Sequence, residues 1–231
     1  MMSESSSSSA LMEATRALAS TTIVLLVVRV IRRQFSPIIC SKLSCRCGKI
    51  QGQVCAKRED SIRIYCYCKD CRQYAKFIAH LGNQEDTTIG KPRGDNRLVQ
   101  VCKNALTIHQ GRDLLKLARK APQKESKGKI CMHRYYASCC HVPLFNTVSF
   151  LGFVGVFTDF LDSNHDKFAG PVRMYPKEAL GQEEPPEPDV FALDLLWKFV
   201  RYLPWKNAGP FDYDLEPVYW GKEEQNNKKE D

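Results

Sequence analysis

The run Cys66-Tyr67-Cys68-Lys69-Asp70-Cys71 puts three thiols into six consecutive residues, and Cys45-Arg46-Cys47-Gly48 sets two more shortly before them. Thiolates packed this densely repel one another unless a cation or protons neutralise them. Zinc is the usual cation, because it binds soft sulfur at short tetrahedral distances. Three ligands from one short segment can hold a metal and leave its fourth position free. That arrangement belongs to catalytic rather than purely structural zinc. A second reading of the same run stays open: His80, His133 or Asp70 closes the site as a structural knuckle.

The chain carries eleven cysteines, an odd number, and its 231 residues bury enough core to do without bridges. Neighbours in a C-x-C unit cannot easily reach each other. Metal-bound thiolates in a reducing compartment, cytoplasmic or organellar, fit better than secretion. Cys40, Cys55, Cys102 and Cys131 stand alone and read as small buried apolar residues. The net charge of +8 is mild and spread along the chain. The densest basic stretch, Lys116 to Lys129, reads as a solvated loop. It has no interleaved stacking aromatics, so nucleic acid is not an expected partner.

Composition suggests three parts. Residues 1–38 begin Ser-rich and continue into the apolar stretch Ala17–Val28, followed by Arg29, Arg32 and Arg33. The stretch falls short of the ~18–20 apolar residues of a full span. It reads either as a short membrane anchor, with the basic flank holding the downstream domain on the cytosolic side, or as an organelle-targeting segment. Residues 39–180 show short alternating runs with turn signals, the pattern of a mainly β domain. Strands are expected around Leu43–Cys47, Ile50–Val54, Ile62–Cys68, Leu98–Ile108, Lys129–Tyr136, Leu144–Phe160 and Val172–Tyr175. A helix is expected from Lys69 to His80, with Cys71 in its first turn, where amide dipoles favour a thiolate. Residues 181–231 read as a Pro/Glu-rich linker, an amphipathic helix capped by Asp189, and a charged tail.

A third cysteine cluster lies downstream in His133-Arg134-Tyr135-Tyr136-Ala137-Ser138-Cys139-Cys140-His141-Val142-Pro143-Leu144. C-x-C, then C-x-C-x-x-C, then an aromatic strand ending in cysteine before Pro-Leu, is a specific order. It resembles the glutathione-dependent formaldehyde-activating enzyme family, which includes centromere protein V, over roughly Lys42 to Phe160. The resemblance implies a β-tent of small antiparallel sheets and up to two zinc ions per chain. Cys45, Cys47 and Cys140 would belong to a structural site, and Cys66, Cys68 and Cys71 to a second, catalytic-type site. The pattern departs where the family has C-x-x-C-G: Ala137 stands at the first cysteine and His141 at the glycine. Cys139 is an extra cysteine that can replace the missing ligand. A three-sulfur site completed by water or His141, or no site, are the alternatives.

The resemblance also implies a chemistry, a carbon–sulfur lyase acting on glutathione-type thiol–aldehyde adducts. A three-thiolate zinc can take a substrate sulfur as its fourth ligand and lower the thiol pKa. Three thiolates leave the centre near −1, which weakens its Lewis acidity and favours thiolate delivery over water activation. Lys69, Arg72 and Arg134 are candidates to hold substrate carboxylates. No residue stands out as a general acid or base, and the catalytic residues stay unassigned. The alternative function is a non-catalytic zinc-binding interaction module. A thiol redox sensor built on Cys139-Cys140 is a third.

Overall fold

Alternation of apolar and polar residues is what sets the strands. The computed structural model describes residues 20, 24, 28, 34–83, 94–121, 132–180, 209–211 and 214–220. Among these, eleven strands and one α-helix form in the order β1 (Ile38–Ser44), β2 (Gln51–Lys57), β3 (Ser61–Cys66), α1 (Lys69–Leu81), β4 (Asn96–Cys102), β5 (Leu106–Gln110), β6 (Leu115–Lys120), β7 (Met132–Ala137), β8 (Val142–Val148), β9 (Phe153–Phe157), β10 (Val172–Met174) and β11 (Val218–Trp220). The mainly β class expected from the sequence is what forms.

The strands make two sheets. β1, β2 and β5 form a three-stranded sheet, and the other eight run in the order β10-β3-β4-β9-β8-β7-β6-β11. Neighbours are antiparallel except at the two edges, where β10 runs parallel to β3 and β11 parallel to β6. The central strands β8 and β9 are buried along their whole length.

Successive residues of the large sheet serve opposite faces. Tyr135, Val99, Val154 and Val156 pack with Leu43, Val54 and Leu106 of the small sheet and with Ile50 of its β1–β2 turn. Tyr136, Leu98, Ala118 and Phe157 pack instead with Tyr74 and Ile78 of α1 and with Trp220. The helix therefore covers one face and the small sheet the other. α1 buries Cys71, Tyr74, Ala75, Ile78 and Ala79, a single stripe at helical spacing. Burying a side chain such as Ile78 contributes about 1.5–3 kcal/mol.

Several expectations are corrected. The stretch Leu98–Ile108 is two strands, broken by the 3-10 turn Lys103–Ala105. Lys103 turns fully inward, and its Nζ donates to Val148 O at 2.8 Å and Ser149 O at 3.1 Å. Lys116–Lys120 is not loop but most of β6. Leu115, Leu117 and Ala118 are buried there, while Lys116 stays exposed. Cys40 and Cys55 are not separate buried residues. They lie directly opposite each other on β1 and β2 and form a disulfide. Cys102 is free and half-buried. Val218–Trp220, in the tail region, supplies an edge strand. Cys131 and the helix expected after Asp189 lie outside the described residues.

The chain divides into two units, Met1–Pro37 and Ile38–Asp231. Most of the apolar stretch Ala17–Val28 lies outside the described residues, of which Val24 and Val28 are exposed. Among the described residues, no helix is long and apolar enough to cross a membrane.

Gly52 is where the small sheet is tightest. A Cβ there would stand 2.2 Å from the backbone oxygen of Thr107 on β5. Gly52→Ala is expected to destabilise the protein by about 1–3 kcal/mol through forced separation of β2 and β5. Chemical denaturation checks this, and an unchanged midpoint would mean that β5 does not seat against β2.

Candidate metal centres

The first centre begins in the turn joining β1 to β2. Gly48, at φ 75, allows the chain to reverse there, and its N–H donates to Cys45 O at 2.9 Å. The backbone N–H of Ile50 donates to Cys45 Sγ at 3.2 Å. Cys47 projects from the same turn and is exposed.

The turn joining β7 to β8 brings the other half. Ser138 anchors it, donating from N–H and Oγ to Leu114 O at 3.0 and 2.9 Å. Cys139 and Cys140 follow, and His141 closes the turn with a left-handed φ of 46. The sulfurs of Cys45, Cys47, Cys139 and Cys140 all lie within 4.8 Å of one another and could hold a metal ion. The Sγ–Sγ distances are 3.6 Å for Cys45–Cys47, 3.8 Å for Cys45–Cys139, 3.3 Å for Cys47–Cys139 and 4.0 Å for Cys139–Cys140. Sulfurs bound at ~2.3 Å to a tetrahedral metal stand about 3.8 Å apart, so the spacing matches that of a four-sulfur centre. Ala137 ends β7 in the core, so Cys139 is the residue that joins Cys140 in the group. His141 is not a member, and its ring stacks on Tyr136 at 6.4 Å.

Proton sharing follows from the crowding. The Lys49 backbone amide first, then the Cys139 thiol, draw Cys47 down to about 7. Burial pushes Cys140 up to about 11 and Cys139 upward as well.

The second centre is built by the junction of β3 and α1. Cys66 ends the strand. Cys68 is the N-cap residue of the helix, its Sγ accepting from the Cys71 N–H at 3.4 Å, and Cys71 sits in the first turn as expected. Cys66 Sγ and Cys68 Sγ are 3.3 Å apart, and the three sulfurs lie within 4.8 Å of one another. Cys66 and Cys71 are buried and Cys68 is half-buried. Hydrogen bonds from Cys66 and Cys68, aided by Arg134, hold Cys71 well below the usual thiol range. The Cys66 thiol is pushed up by its sulfur neighbours and burial. Cys68 ends at about 11, with its Cys66 hydrogen bond working in the opposite direction.

Among the described residues, no histidine or carboxylate joins this trio. His80 is exposed near the far end of the helix. His133 Nδ1 is 3.0 Å from Arg119 Nη2, and Asp70 accepts from Lys120 Nζ at 2.5 Å.

Of the three cations suggested for substrate carboxylates, only Lys69 is exposed. Arg72 Nη1 donates to the carbonyls of Tyr67 and Glu178. Arg134, from β7, is buried and donates through Nη1 to Cys71 Sγ at 3.6 Å. Burial opposes its charge, but the Cys71 thiolate beside it wins and raises its pKa.

Two neighbours have no signal near the motif in the sequence. Glu178 Oε2 accepts from the Lys69 N–H at 2.6 Å and so caps α1 from a distant segment. Tyr175 is exposed, at a left-handed φ of 57. Its phenol is pushed up by burial and then by the Cys68 and Cys66 thiolates. Only the rarity of left-handed backbone at a tyrosine could flag it, and that is not visible in the sequence.

The chain matches no curated protein. Residues 38–204, more than half of the chain, match the family described as "Family of unknown function (DUF6151)", and the chain belongs to that family.

Proposed function

We propose that this chain is a zinc protein with a structural four-sulfur centre and a reactive three-sulfur centre that acts on thiol–aldehyde adducts as a carbon–sulfur lyase. The observation that carries the reading is the trio Cys66, Cys68 and Cys71, which has no fourth ligand among the described residues. The motif likeness to the glutathione-dependent formaldehyde-activating enzymes supplies the substrate class. His141 supports the likeness, because it stands where that family has glycine and adopts the left-handed backbone that glycine favours.

Zinc, when bound, supplies a Lewis acid that lowers the pKa of an incoming thiol. The chain's own residues do the rest. Cys66, Cys68 and Cys71 would hold the ion through three sulfurs, of which Cys68 is half-buried and the other two buried. Lys69 and the N-terminal end of α1 give that site positive potential for substrate carboxylates. In the addition direction, sulfur bonds to the aldehyde carbon and the thiol proton ends on the aldehyde oxygen. In the lyase direction, the carbon–sulfur bond breaks, the hydroxyl proton is lost and the sulfur is reprotonated. No oxidant or reductant is required.

Two outcomes are expected. Elemental analysis should give two zinc ions per wild-type chain and one for Cys68→Ser, with circular dichroism unchanged in the variant. Unfolding of Cys68→Ser would instead mark the trio as a structural knuckle. In cobalt-substituted protein, glutathione should shift the sulfur-to-metal bands of one centre and leave the other unmoved. Indifference of both to every small thiol would leave a zinc-binding interaction module as the function.

A further inference from the structure

Arg134 stands out among the charged side chains. It lies on β7 at the face covered by α1 and is only 4% exposed. Its guanidinium carbon sits 5.0 Å from the Tyr74 ring centroid and 5.4 Å from that of Trp220. Its Nε is buried with no hydrogen-bond partner. Among the described residues no carboxylate pairs with it, and its hydrogen bond goes to Cys71 Sγ. A guanidinium stays charged at any pH a protein survives, and a buried charge must be compensated. The two rings contribute through their faces. The remaining compensation comes from sulfur.

We propose that Arg134 is a positioning residue of the three-sulfur centre, a fixed countercharge that makes the metal-loaded trio electrically neutral and keeps it receptive to an anionic sulfur ligand. The inference rests on the metal reading of that trio. Three thiolates and a divalent ion sum to −1, and Arg134 brings the assembly to zero. A hydrogen bond to Cys71 Sγ also withdraws electron density from that sulfur, so it donates less to the metal. This offsets the weak Lewis acidity expected of a three-thiolate centre. A thiolate entering the fourth position then meets a neutral assembly instead of an anionic one. The ligand class that fits is an anionic thiolate.

The test is cobalt titration of the full chain as wild type, Arg134→Met and Arg134→Lys, with Cys68→Ser identifying the bands of the three-sulfur centre. Arg134→Met should weaken cobalt binding at that centre by about 10- to 100-fold, the usual range for partners of metal ligands, because the loaded trio is then a buried assembly of net charge −1 and that cost outweighs the stronger donation of the uncompensated sulfur. Its sulfur-to-cobalt band should move to longer wavelength, because an uncompensated thiolate gives up charge more easily. Arg134→Lys should bring the band part of the way back. The four-sulfur centre should keep its affinity in both variants, which reports an intact fold. If Arg134→Met loses that centre too, Arg134→Lys decides alone, through a smaller band shift of the same sign. Wild-type affinity and band position in the variant that decides would overturn the role of Arg134 while leaving the metal reading in place. Failure of the wild-type trio to take cobalt would overturn both.

Discussion

Sulfur brought to within 3.3–4.0 Å of sulfur is the constraint on which the rest of this structure turns. The contact is tolerable when protons or a metal remove the charge. The two groups place that demand on different parts of the fold. The first joins the β1–β2 turn of the small sheet to the β7–β8 turn of the large one. A metal there would cross-link two layers that otherwise meet through apolar side chains such as Leu43, Val54 and Leu144. The second draws its ligands from residues 66–71 alone and fixes the start of one helix. If both groups hold metal, its loss would have unequal consequences: the first group would loosen the seam between sheets, the second a helix terminus that Glu178 also holds.

The surroundings differ in the same sense. Cys47 of the first group is exposed, so water screens whatever charge that centre carries. The second group has two buried sulfurs, and Arg134, held between Tyr74 and Trp220, donates to one of them. On the proposed reading, a structural centre has no need of tuned charge, whereas a buried centre that takes up a ligand does, because a low dielectric magnifies every uncompensated charge.

What the sequence made legible was local. The period of two in β1, β2 and β3, the helical stripe through Cys71, Tyr74 and Ile78, and the close cysteine spacings all depend on residues a few positions apart. The features that escaped depend on pairing across the chain. Cys40 looks isolated because Cys55 is its neighbour only through the β1–β2 register. The basic content of β6 hid its inward residues, Leu115 and Leu117. Arg134 looked available to substrate because nothing near it in sequence announces Tyr74 and Trp220 as its walls. The substitution of Cys139 for Ala137 was legible as one option among three, since adjacency alone does not say which way a side chain turns.

The disulfide is compatible with metal in the sulfur groups. Cys40 and Cys55 are bonded on the small sheet, while the grouped cysteines of the same chain stay free. Cys47 is exposed and 3.3 Å from Cys139, and the Lys49 backbone amide, followed by the Cys139 thiol, draws its pKa to about 7. A thiol that ionises near neutrality, sits in water and touches another sulfur is the first expected to be oxidised. Conditions that oxidise Cys40 and Cys55 would join Cys47 to Cys139 as well, unless those sulfurs were engaged. Coordination engages them, since a sulfur bound to metal is a poorer nucleophile. One bridge and two free sulfur groups in a single chain would be chemically consistent if a cation occupied the groups.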